Sequence, residues 1–155
     1  MDDFVDLSRM LVFKDYAYSC AESMDRLAQR VYLKDFSLYD ALSEYFNPQI
    51  VSWVEQVILK KQIASDDKVL LGKLFTDLSR YLQELPVLVC TFGYNPSAKF
   101  YSKFYSQVCN YMSYQAILID VVVDPMIVAG AIFSINGRFY NYSSSFEFKQ
   151  MIVQG

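Results

Sequence analysis

The chain has 155 residues, 54% hydrophobic and 20% charged, with a formal net charge of −3. These proportions exclude global disorder and supply enough apolar mass for one ordinary domain or two small ones. The interspersed charges exclude the clustered positive field that nucleic acid requires, and the absence of histidine removes the commonest general base and metal ligand.

The opening "MDDFVDLSRM" is acidic from its second residue and lacks the basic leader and apolar run of a secretory signal. Met10, Phe13, Ala17, Cys20, Met24, Leu27 and Val31 then recur in steps of three and four, which predicts one long helix with a single apolar stripe. Ser37 with Asp40 has the spacing of a capping box and opens a short helix through Phe46. Asn47–Pro48 ends it and starts a third, since Asn caps and Pro fits the first turn, where its missing N–H costs nothing. Ile50, Val51, Val54, Val57 and Ile58 give that helix its apolar face, with Trp53 at one edge. A fourth helix is expected from Ser65, with Asp66 and Asp67 at the positive end of its dipole, followed by Leu71, Leu74, Phe75, Leu78, Tyr81, Leu82 and Leu85 in helical steps. Residues 1–85 are therefore expected to form an antiparallel helical bundle.

The period changes after Pro86. "VLVCTF" (Val87–Phe92) is short and β-branched, bounded by Pro86 and Gly93, and predicts a strand. Asn95–Pro96 repeats the cap-and-proline device ahead of a helix that aligns Phe100, Phe104, Val108 and Met112, with Tyr101 and Tyr105 beside them. "AILIDVVV" (116–123) is apolar on both faces apart from Asp120, the pattern of an interior strand, and the strand–helix–strand order makes the two strands parallel. Asn136–Gly137 predicts a tight hairpin turn between a strand near 128–135 and one near 138–142. Ser143 and the residues after it are expected to cap a last short helix through Met151. The whole reads as α+β: a helical bundle over 1–85, then a small β-α-β-β-β-α domain with a mixed sheet over 86–155.

Little catalytic chemistry can be assembled from these residues. The five glycines are scattered, so neither a phosphate-binding loop nor a dinucleotide fingerprint forms. Asp66–Asp67 is explained by a helix dipole, and Asp124 before Pro125 is a turn former before it is a catalytic carboxylate. Cys20, Cys90 and Cys109 are far apart in apolar surroundings and read as small hydrophobes, with no disulfide framework and no metal spacing. The expectation is a non-enzyme with no catalytic residue, cofactor or metal. The aromatic content of 17%, mostly Tyr and Phe, suits a surface that other chains grip. The longest apolar stretch, 116–135, is broken by Asp120, Asp124–Pro125 and Gly130, so no membrane insertion is expected.

In the second half Val123–Asp124–Pro125 ends one strand, Ala129–Gly130 lies in the next, Asn136–Gly137 makes the turn, and Tyr142–Ser143 ends the last strand. With "ELPVLVCTF" and its capped helix upstream, this order over about residues 85–153 resembles the C-terminal part of the F-type ATP synthase delta subunit, the oligomycin-sensitivity-conferring protein family. "DYAYSCAESMDRL" is loosely similar to the family's Tyr-Ala-rich first helix. The resemblance is to a diverged and shortened member: the bundle has fewer helices than is usual, and Met126 stands where the family has Ser after Pro. It implies a peripheral-stalk subunit that links the catalytic head to the b-subunit stalk and resists rotor torque, without chemistry of its own. The implied partners are the alpha and b subunits, held by helix-in-groove contacts. The implied place is the cytoplasmic face of the inner or plasma membrane, as a peripheral member of the complex. The implied family-motif residues are Asp124, Pro125, Ala129, Gly130, Asn136, Gly137 and Ser143. The alternative is a free-standing adaptor or regulatory domain that binds a peptide or a small molecule.

Overall fold

The structure, a computed structural model, describes residues 4–112 and 114–143. It combines helices with a four-stranded mixed sheet, an α+β chain. The described residues divide into two compact units, one made of 4–11 and 15–85, the other of 12–14 and 86–143.

The first unit is helical: α1 (Val5–Met10), α2 (Lys14–Arg30, in this unit from Asp15 on), α3 (Leu38–Tyr45), α4 (Pro48–Lys60) and α5 (Lys68–Glu84). Each helix pools its apolar stripe into a common interior. Ala17, Cys20, Met24 and Leu27 come from α2, and Leu71, Phe75, Leu78 and Leu82 from α5. Trp53 is buried with the rest of the α4 face, and the Phe4 ring meets it edge-on at 6.4 Å. Asn47 caps α4 as its sequence requires: its Oδ1 accepts the N–H groups of Gln49 and Ile50, each at 3.0 Å, and Pro48 occupies the first turn.

Three sequence expectations shift here. The long helix through Met10 and Phe13 is two helices, because the chain between them is extended: the Val12 carbonyl accepts the Ile119 N–H at 2.8 Å, and Phe13 bridges Ile119 in parallel. Leu7 and Leu11 are buried from this segment, while Met10 and Phe13 are about two-fifths exposed. Ser37 sits at the α3 N-cap, but its side chain makes no capping bond, so the box with Asp40 does not form. The fourth expected helix starts at Lys68 rather than Ser65. Asp67 is itself the cap, accepting the Leu70 N–H at 3.0 Å, and the residues before it form a turn closed by Asp67 N–H donating to the Ala64 carbonyl.

The second unit contains β1 (Val87–Phe92), α6 (Ala98–Met112), β2 (Leu118–Val123), β3 (Ala131–Ile135) and β4 (Arg138–Asn141). The strand order is β2-β1-β3-β4. β1 and β2 are parallel, in register from Val87 with Leu118 to Phe92 with Val123, as the crossover through α6 requires. β3 runs antiparallel to β1, and β4 antiparallel to β3. Leu88, Cys90 and Phe92 point alternately from β1 into a core completed by Tyr101, Ile117, Ile119, Ala131 and Ile135. Asn136 (φ 49°) and Gly137 (φ 75°) form the hairpin turn with the positive φ values that such turns demand.

The interior strands are β1 and β3, not 116–123. β2 is one of the two outer strands, buried at Leu118 and Ile119 but exposed at Val122 and Val123. An unbroken run of branched residues reports burial at one end here and surface at the other, and composition does not separate the two. β3 starts at Ala131 rather than near Val128, because Gly130 (φ 88°) interrupts the extended backbone and Val128 is 85% exposed. Ser97, not Asn95, supplies the α6 cap, its Oγ accepting the Phe100 N–H at 3.3 Å, while Asn95 accepts from the Tyr101 hydroxyl. The helix expected through Met151 lies outside the described residues beyond Ser143.

Candidate functional site

The seven motif residues build the ends of the sheet. Asp124 continues the parallel ladder one step past β2, its N–H donating to the Phe92 carbonyl at 2.8 Å. Its carboxylate then accepts the Met126 N–H at 2.9 Å, and its carbonyl accepts the Ile127 N–H at 3.0 Å. That is a side-chain-closed turn, with Pro125 fixing the backbone between. The turn buries Ile127 against Gly93, where a β-carbon would run into the Ile127 carbonyl. Ala129 and Gly130 follow in the loop before β3. At Gly130 the positive φ and the Tyr142 carbonyl both exclude a side chain, and the Cα of Ser143 lies against the same spot. Gly130 and Ser143 are thus brought together across the strand ends. Buried Ser143 is held by Asn141, whose Oδ1 accepts both its N–H (2.9 Å) and its hydroxyl (2.7 Å). Asn136–Gly137 lie at the other end of β3, where the Asn136 amide donates to the Tyr114 hydroxyl at 3.1 Å.

None of the seven lines an apolar recess of this unit. That recess is a cleft of about 290 Å³ between α6 and the sheet face, at the small end of ligand sites. Phe104, Val108 and Met112 reach it from α6, in the helical line visible in the sequence, and Phe133, Tyr140 and Tyr142 reach it from the hairpin. Sequence reasoning missed the second group. Its signal was the period-two alternation of Phe133, Tyr140 and Tyr142 on one sheet face, which the register of Phe133 opposite Tyr140 makes explicit. Some of the chain's aromatic residues pack together here. Phe133 stacks on Phe104 at 5.4 Å, Phe104 on Phe100 at 5.4 Å, and Phe92 meets Phe133 edge-on at 6.1 Å. On the rim Tyr111 is 89% exposed. A larger and more polar recess of about 480 Å³, to which Tyr114, Asn136 and Arg138 contribute, adjoins it.

Electrostatically the cleft is quiet. The described residues that wall it carry no charged side chain, and Gln107 is the amide among them. Burial pushes the Cys90 thiol beneath it up to about 12, with the Asp120 charge adding to the rise, so it stays neutral. Burial likewise raises the Tyr101 hydroxyl. Among the described residues no group of three or more His, Cys, Asp and Glu side chains could hold a metal ion, and no helix is long and apolar enough to cross a membrane. Chemically the arrangement can bind apolar or aromatic groups and can shield them from water.

Compared with protein-family models and with curated proteins, the chain matches none.

Proposed function

We propose that this chain is a peripheral-stalk subunit of an F-type ATP synthase, a diverged relative of the delta subunit. In this role it joins the catalytic head to the b-subunit stalk and resists rotor torque, on the cytoplasmic face of the inner or plasma membrane. One observation carries the reading. The parallel β1–β2 pair ends on Asp124–Pro125, Gly130 and Ser143 pack against each other across the strand ends, and Asn136–Gly137 turns the hairpin. These are six of the seven motif residues of the resemblance, each of the six with a structural task. The helices of residues 4–85 are read as the bundle that receives alpha-subunit segments. The apolar cleft beside α6 is read as the groove for a stalk helix, which buries spaced apolar side chains in such a groove. In this reading the chain does no chemistry.

The uncharged, aromatic-walled cleft also suits a second reading, a regulatory domain that takes a peptide or small apolar ligand there. Affinity capture of the tagged full chain from native membranes at low salt, read by mass spectrometry, separates the two. The stator reading expects alpha, beta and b subunits together, and expects Tyr111→Asp on the cleft rim to deplete b while alpha is retained. Recovery of no ATPase subunit overturns it. Saturable ligand binding by the isolated chain, lost in Tyr111→Asp, then favours the second.

A further inference from the structure

The connection between α1 and α2 does more than join two helices. α1 ends at Met10 and α2 begins at Lys14, so this short connection holds no flexible linker. Yet residues 12–14 belong to the sheet unit, and the chain passes between the two units three times, at 11–12, 14–15 and 85–86. Three contacts of different kinds fasten this segment along the outer side of β2. The Val12 carbonyl accepts the Ile119 N–H at 2.8 Å, and Phe13 bridges Ile119 in parallel. The Lys14 ammonium lies 2.8 Å from the Asp120 carboxylate, both about one-quarter to one-third exposed. The Phe13 ring meets Tyr101 edge-on at 5.3 Å, and Val12 packs against the sheet core. Phe13 pairs with Ile119 at an isolated bridge, and Lys14, the first residue of α2, reaches Asp120 next along β2. The one charge in an otherwise apolar strand thereby acquires its partner.

We propose that residues 12–14 are a coupling strap, fastened to β2 by one bridge and one ion pair, that makes the sheet unit depend on the folded state of the helical unit. The physical basis is effective concentration. While α1 and α2 are folded, the helices on either side fix both ends of this short segment. When the helices melt, the same residues sit on a floppy chain, and their pairing is weakened by the entropy of finding the edge again. An edge strand left uncovered also exposes unpaired backbone groups. The inference is independent of the stator reading, because it concerns how the chain folds whatever it binds.

Two probes on the full chain test it. Trp53 is the single tryptophan and is buried in the helical unit, and Cys90 is buried in the sheet core. In a background carrying Cys20→Ala and Cys109→Ala, urea unfolding is followed by Trp53 fluorescence and by Cys90 labelling. The strap predicts coincident midpoints in that background. With Val12, Phe13 and Lys14 all changed to Gly, it predicts that Cys90 becomes reactive earlier than Trp53 responds, by on the order of 0.5 M urea. The milder Lys14→Met, which keeps the backbone pairing, is expected to separate the midpoints in the same direction but less. Non-coincident midpoints in the background protein, or coincident midpoints in both variants, overturn the proposal.

Discussion

Gly130 shows how much one position can carry. Its backbone lies at φ 88°, outside the range L side chains ordinarily adopt, and a β-carbon there would strike the Tyr142 carbonyl and crowd the Cα of Ser143. The obstacle is backbone on both counts, so no side-chain rearrangement relieves it. Gly130→Val combines left-handed strain with overpacking and is expected to cost about 2–4 kcal/mol. An unchanged urea midpoint in this variant would show that the loop relaxes freely and that the close approach is incidental. The glycine is visible in the sequence, and so is its kinship with a motif. Its reason is not visible, because the atom it makes room for belongs to a residue twelve positions later. Gly93, which admits the Ile127 carbonyl in the same manner, reads in the sequence only as the end of a strand.

At the scale of elements, local chemistry decides boundaries wherever it is strong. α4 has a side chain that accepts two orphan N–H groups and a proline in its first turn, and the helix starts where its sequence says. Asn47→Ala removes both acceptor bonds and the 2.8 Å bond from the Asn47 amide to the Tyr16 hydroxyl, and is expected to lower stability by about 1 kcal/mol. Asn47→Asp keeps the acceptors and is expected to recover most of that loss in urea unfolding; equal losses in the two variants would mean that the Tyr16 bond, not the cap, matters. Where local signals compete, boundaries move. Ser37, Ser65 and Asn95 are all good caps by residue type, but Ser37 makes no capping bond, and the neighbours Asp67 and Ser97 hold the cap positions of the other two helices. The cleft follows the same division. Its helical wall of Phe104, Val108 and Met112 is a periodicity and could be read directly, whereas its hairpin wall needed the β3–β4 register.

For the whole molecule, each unit keeps one fully neutral thiol in its core. Burial pushes both Cys20 and Cys90 from the ordinary 9.0 up to about 12. The sign follows directly: a thiol whose native pKa is raised holds its proton after the unfolded chain has released it. The advantage of the folded state is therefore complete below pH 9 and is lost as the pH rises from 9 toward 12. Between pH 7 and pH 10 the wild-type protein is expected to lose, relative to a Cys20→Ala, Cys90→Ala variant, about 2–3 kcal/mol of unfolding free energy. Urea midpoints at the two pH values in reductant measure it, and parallel pH profiles would show that one or both thiols titrate normally in the folded chain. The sequence expectation of small buried hydrophobes holds for these two, whereas Cys109 is only half-buried.

Sequence by itself determined what depends on neighbours a few residues away. This includes the helical first half and the strand-rich second, the parallel crossover, the Asn136–Gly137 turn and the Asn47 cap. Capping bonds, turn dihedrals and the 3.6 and 2.0 residue periods are all local, so their signatures are written in adjacent letters. Tertiary structure decided what depends on distant partners. It broke the first long helix to lay Val12 and Phe13 beside Ile119, matched Lys14 to Asp120 across 106 positions, moved β1 rather than β2 to the interior, and closed the aromatic cleft. A backbone hydrogen bond or an ion pair between remote segments leaves no period in either one, and that is why folding had to reveal it.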